Sequence, residues 1–198
     1  MKLIKVYAEN KEENVTVSDL AGNTAVANVR ITNIEKTAPT VSVEYSTTEP
    51  TNGNVTVTIT SNKQLKEVES WILSEDKLKL IKVYAENKEE NVTVSDLAGN
   101  TAVANVKITN IDKTAPTISV QYSTTEPTNG NVIVTITSNK QLKELTGWAL
   151  STDKISLTKT YVENKEENVT VSDLAGNTAV ANVKITNIDK TAPSVSVQ

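Results

Sequence analysis

The feature that most constrains this chain is a stretch that occurs three times. Val92-Thr-Val-Ser-Asp-Leu-Ala-Gly-Asn-Thr-Ala-Val-Ala-Asn-Val-Lys-Ile-Thr-Asn-Ile-Asp-Lys-Thr-Ala-Pro116 recurs from Val15 to Pro39 and from Val169 to Pro193. The first copy carries Arg30 for Lys and Glu35 for Asp. Asp19, Asp96 and Asp173 stand at equal steps of 77 residues, and the rest of the chain repeats with the same step. A period of this size means one structural unit copied along the chain.

The stretch reads as a β-hairpin. Val92 and Val94 alternate with Thr93 and Ser95. Ala102, Ala104, Val106 and Ile108 share one face of the next segment, with Asn105, Lys107 and Thr109 opposite. Alternation with period two marks a strand with one wet face. Between the strands, Gly99 and Asn100 tolerate positive φ and let the chain reverse. Asn110-Ile-Asp-Lys-Thr-Ala-Pro116 then breaks the ladder, because Pro116 has no amide hydrogen for a central strand. A short polar segment ending in proline is a stiff joint.

Along the chain, residues 1–38 read as the second half of a repeat. Lys2–Tyr7 aligns with Lys79–Tyr84 and Ser156–Tyr161 and is expected to be a strand. Lacking its first half, this fragment is expected to leave apolar faces and edges open. It should therefore pack on a neighbour or self-associate. Residues 39–115 form a complete repeat. Val41, Val43 and Tyr45 alternate, Asn52-Gly53 marks a tight turn, and Val55, Val57 and Ile59 alternate with threonines. A third strand is expected from Val68 to Leu73 around Trp71, and a fourth from Lys79 to Tyr84 before the hairpin. Residues 116–192 repeat this order with Trp148. Residues 193–198 read as the first strand of a further repeat. The two complete copies differ mainly between Val68 and Ala85: Ser70 becomes Gly147, Ile72 Ala149, Ile81 Thr158 and Val83 Thr160.

Six or seven short strands in 77 residues predict an all-β fold: tandem small antiparallel sandwiches of immunoglobulin-like type. Trp71 and Trp148 stand where such a sandwich would bury an indole, so they are expected in the core. The chain has 198 residues, no Cys, no His and a net charge of −4. Disulfides and thiolate metal sites are thereby excluded. The mildly acidic balance argues against nucleic acid as a partner. No apolar run approaches the roughly 20 residues that span a bilayer as a helix. The start at Met1-Lys-Leu-Ile4 leads into a strand pattern, which reads as a fragment of a longer protein.

The turn Asp96-Leu-Ala-Gly-Asn100, the joint Asn110–Pro116 and the loop Tyr45-Ser-Thr-Thr-Glu-Pro-Thr-Asn-Gly-Asn54 together resemble the bacterial immunoglobulin-like repeats of large cell-surface proteins. The resemblance covers essentially the whole chain. It implies stalk repeats of an extracellular, wall-attached adhesin-type protein that hold another domain away from the cell. The partners expected on this reading are neighbouring repeats and a host or cell-surface ligand.

Catalysis is not expected, since carboxylates lie scattered on turns and no His or Cys is present. Calcium is the sharper possibility: Asp96 and Asn100 in the turn, Asp112 in the joint and Glu126 in the next repeat offer hard oxygen ligands. The competing reading is that Asp96 caps its own turn. Lys82, on the face of Leu80 and Tyr84, raises an internal isopeptide bond against the commoner case of a lysine that snorkels into water. The rival function is a carbohydrate- or protein-binding module, which needs exposed aromatic residues.

Overall fold

The computed structural model describes residues 2–197, and it is all-β, with no helix among them. Contacts divide the chain into two compact units. One comprises Met1–Glu44, Val57–Lys82 and Glu89–Val106; the other Tyr45–Thr56, Val83–Lys88 and Lys107–Gln198.

The first unit opens with a hairpin, β1 (Lys11–Ser18) and β2 (Thr24–Ile31), in continuous antiparallel register from Lys11 opposite Ile31 to Ser18 opposite Thr24. Lys2–Tyr7, expected to be a strand, forms none. In the complete copies this segment is held by strands on both sides, whereas among the described residues no strand pairs with it here. Leu3, Ile4 and Val6 are accordingly exposed. The next copy supplies β3 (Val41–Tyr45), β4 (Val55–Ser61), β5 (Ile72–Leu73), β6 (Lys79–Tyr84), β7 (Lys88–Ser95) and β8 (Thr101–Ile108). Its four-stranded sheet has the order β3-β4-β6-β5, and β7 pairs with β8.

The second unit contains the last copy whole: β9 (Ile118–Tyr122), β10 (Val132–Ser138), β11 (Ala149–Leu150), β12 (Ser156–Tyr161), β13 (Lys165–Ser172) and β14 (Thr178–Ile185). The sheet order is β11-β12-β10-β9, all antiparallel, and β13 pairs with β14. A single antiparallel bridge between Leu142 and Asp173 ties the segment after β10 to the hairpin. Four strands lie in one sheet and two, with the bridged segment beside them, form the other layer, a sandwich-type arrangement. The alternation seen in the sequence sets the faces. Val132, Val134 and Ile136 of β10 point inward with Leu157 and Tyr161 of β12. They meet Val169 and Val171 of β13 and Ala181, Val183 and Ile185 of β14 in one buried cluster. The Tyr122 hydroxyl accepts the Lys184 amide at 3.0 Å and ties the first strand to the last.

Further expectations change. The tail around Val195 and Val197 is exposed and forms no strand among the described residues. The tryptophans lie at the margin of the core, Trp148 packing against the buried cluster of the last copy. The expected third strand shrinks to two residues, and Trp71 and Trp148 come just before it, half-buried. The Trp148 amide closes a tight turn onto Leu145 O at 3.0 Å, where the chain passes between sheets. Leu142, fully buried, fills the central position, and Leu65 is its counterpart in the preceding copy. Leu142→Ala is therefore expected to cost roughly 2–5 kcal/mol, and Trp148→Ala less. Urea unfolding of the two variants checks the ranking; a larger loss for the tryptophan variant contradicts it.

Candidate functional site

The most elaborate polar arrangement lies where one copy is joined to the next. Its centre is the turn Asp173–Asn177. The Asp173 Oδ1 accepts the Asn177 amide at 2.8 Å and its Oδ2 accepts the Asn177 side-chain amide at 3.0 Å. The Gly176 amide donates to the Asp173 carbonyl at 3.0 Å. Gly176 holds φ +95°, a conformation that side-chain-bearing residues rarely adopt. Asp173 is 2 % exposed. A carboxylate so enclosed needs compensating donors.

The remaining donor is Lys140, just past the end of β10. Its Nζ lies 3.3 Å from Asp173 Oδ2 and 2.7 Å from Asp112 Oδ2 in the joint, and donates to the Thr114 carbonyl at 2.5 Å. The Asn177 side chain also donates to the Asp112 carbonyl at 2.8 Å. Asp112 Oδ1 accepts the Thr114 amide at 3.0 Å. Beyond the joint, Pro116 is buried and the Thr117 amide is caught by Asn139 Oδ1 at 2.9 Å. The loop before β10's counterpart contributes as well: the Asn52 amide donates to Ala175 O at 3.0 Å.

The preceding joint is built from the same parts. Lys63 Nζ lies 3.3 Å from Glu35 and 3.8 Å from Asp96 and donates to the Thr37 carbonyl at 2.6 Å. Asn100 bonds Asp96 as Asn177 bonds Asp173, and its side chain reaches Glu35 O at 3.2 Å. Glu35 thus replaces Asp112 with its link to the lysine retained.

The electrostatics follow. Lys140 beside Asp112 holds that carboxyl below its usual range, helped by the Thr114 amide, and Asp112 in turn raises the lysine. Burial pushes Asp173 upward, but the Asn177 side chain and amide together with Lys140 outweigh it and leave it low. The Asn100 side chain does most to lower Asp96. Both partners of the Asp112–Lys140 pair therefore stay charged.

The expected calcium ligands do not gather as proposed. Asp96 and Asn100 belong with Glu35 and Lys63, and Asp112 belongs with the turn of the following copy. Glu126 is exposed; its amide bonds Thr124 and its carbonyl accepts the Asn187 side chain. An ammonium group stands at the point where the oxygens converge. Among the described residues, no three Asp, Glu, His or Cys side chains form a group that could hold a metal. Lys82 is paired with Glu90 at 2.9 Å, at a site where both side chains remain about one-quarter exposed, and lies 5.5 Å from the Trp71 ring centroid. Lys63 and Lys140 were missed in the sequence, where each reads as one more solvated lysine in a polar connection.

A second polar cluster borders Trp148. Glu167 accepts from the Tyr161 hydroxyl at 2.5 Å and Lys159 at 2.9 Å, and pairs with Lys165 at 3.2 Å. These donors lower its pKa to about 2, the Tyr161 hydroxyl contributing most.

No protein-family model matches the chain, and no curated protein matches it.

Asp112 and Asp173 contribute stability that is complete above the unfolded carboxyl value of about 4 and lost as pH falls through their lower folded values. Melting is expected to be flat from neutral pH to about 5 and to fall below about 4. Lys140→Met should shrink that acid dependence, and an unchanged profile contradicts the assignment. Asp173→Ala, which strips the turn of its acceptor, should cost roughly 1–3 kcal/mol.

Proposed function

We propose that this chain is a run of structural repeats acting as a spacer in an extracellular, surface-attached protein of adhesin type. The observation that carries this reading is the joint. Successive copies are linked by the same lysine, turn aspartate and turn asparagine at both steps, with Glu35 and Asp112 interchanged. A link of fixed construction makes the 77-residue copy a unit that can be added or removed. The chemistry of the joint is consistent with this use: its charged groups are spent on one another and on backbone groups.

The reading is tested on a bacterial surface. A reporter epitope displayed beyond this chain should become more accessible to a bulky antibody with each added copy of residues 116–192. It should lose access when a copy is deleted, while total display, measured with a small tag ligand, stays constant. Access independent of copy number contradicts a spacer.

A further inference from the structure

Within the chain, the turn of the last copy seats on a loop of the copy before it. The Asn52 amide donates to Ala175 O at 3.0 Å, and Pro50 borders an open recess with Leu174 and Ala175. The Asn177 side chain donates to the Asp112 carbonyl beside them at 2.8 Å. Ala175 is 8 % exposed there. The same turn stands open in the earlier copies, where Leu97 and Ala98, and likewise Leu20 and Ala21, are exposed. All three turns read Asp-Leu-Ala-Gly-Asn, so the neighbour and not the turn makes the difference.

Both halves of this contact recur, ready formed, in the last and first copies. The loop Thr124–Asn131 repeats 47–54 residue for residue. It also repeats the internal bonds. The Thr128 amide donates to Asn187 O at 2.8 Å, the Asp189 amide to Thr128 O at 2.8 Å, and the Gly130 amide to Thr128 Oγ1 at 3.0 Å, as Thr51, Asp112 and Gly53 do in the preceding copy. Pro127 and Asn129 are exposed. The turn Asp19–Asn23 is closed by the bonds that close Asp173–Asn177, with the Gly22 amide donating to Asp19 O at 3.1 Å. The tail carries a second matching pair of surfaces. Val195 and Val197 follow Ile118 and Val120 by one repeat, and those two pack against the buried cluster of the last copy together with Ala179. Val195 and Val197 are exposed, as is Ala25, the counterpart of Ala179 on the hairpin β1–β2.

We propose that a second molecule of this chain docks head to tail. The turn Asp19–Asn23 of one molecule seats on the loop Thr124–Asn131 of the other, whose tail lies over the open face of β1–β2. The contact between the last two copies shows what each of these surfaces accepts, and it names the occupant. Both halves keep the conformation they need, which lowers the cost of association. Two different surfaces meet, so the contact is heterologous and can propagate from molecule to molecule. It is expected to be weak, because the lysine that completes the internal joint, Lys140, belongs to a part of the repeat that residues 1–38 do not include. This inference adds to the spacer reading and does not rest on it.

The test is sedimentation velocity of the full chain over a concentration series. The weight-average sedimentation coefficient is expected to rise with concentration. Ala21→Arg, which crowds the exposed turn, and Asn129→Pro, which removes the loop's amide donor, should each hold the chain monomeric without moving the melting midpoint. Mixed in equal amounts, the two variants keep one working surface each and should form a dimer and nothing larger. Pro127→Arg serves in place of Asn129→Pro should that variant melt early. A chain that stays monomeric to about 1 mM, where millimolar binding would be populated, overturns the proposal. So does association that either variant leaves intact, which would run through another surface such as two β1–β2 faces packed together, and so does a mixture that fails to dimerise.

Discussion

A carboxylate taken out of water must be met by donors, and in this protein that requirement shapes the joint. Asp173 is enclosed at the tip of its hairpin. The asparagine four residues on closes the turn around it, and a lysine from the end of β10 reaches both it and the joint aspartate. One buried charge thereby fixes three pieces of chain: the turn, the strand end and the incoming linker. The three copies of the turn separate these roles. Asp19 makes the same bonds to Asn23, at 2.8 Å from both the amide and the side chain, yet stays exposed. The turn therefore closes by itself, and the enclosure comes from the body of the sandwich.

Much of the fold was legible because strand alternation leaves a direct trace. The inward sets Val55, Val57 and Ile59, and Ala104, Val106 and Ile108, are buried as their spacing implied. The hairpin around Asp96 and the interruption by Pro116 were equally readable, since turn and ladder chemistry are local. Trp71 and Trp148 are less deeply placed than expected, because their depth was inferred from fold analogy and size. Whether an indole or Leu142 occupies the centre depends on where the chain crosses between sheets, and that is set by a turn closing on Leu145. The terminal segments misled for a related reason: a sequence able to form a strand needs a partner, and propensity does not record whether one is there.

The joint shows the limit of spacing arguments more sharply. Asp96, Asn100 and Asp112 were recognised as a polar group, but grouped with the nearest neighbours in sequence. The fold pairs Asp112 with a turn sixty residues further on, and Asp96 with Glu35. The lysines that complete both clusters carry no mark that separates them from solvated lysines. Divergence between copies was legible in the sequence as a list of exchanges. That Ala149, Thr158 and Thr160 stand side by side with Ile133 across β11, β12 and β10 became visible only when the register was known.

The central claim is that the joint aspartate and the lysine beyond β10 act as one unit that fastens each copy to the next. A double-mutant cycle on Asp112→Asn and Lys140→Met, read by urea midpoints at neutral pH, tests it directly. The account predicts strong non-additivity, with the second substitution costing little once the first is made. Fully additive losses would show that the two side chains do not act together, and would contradict it.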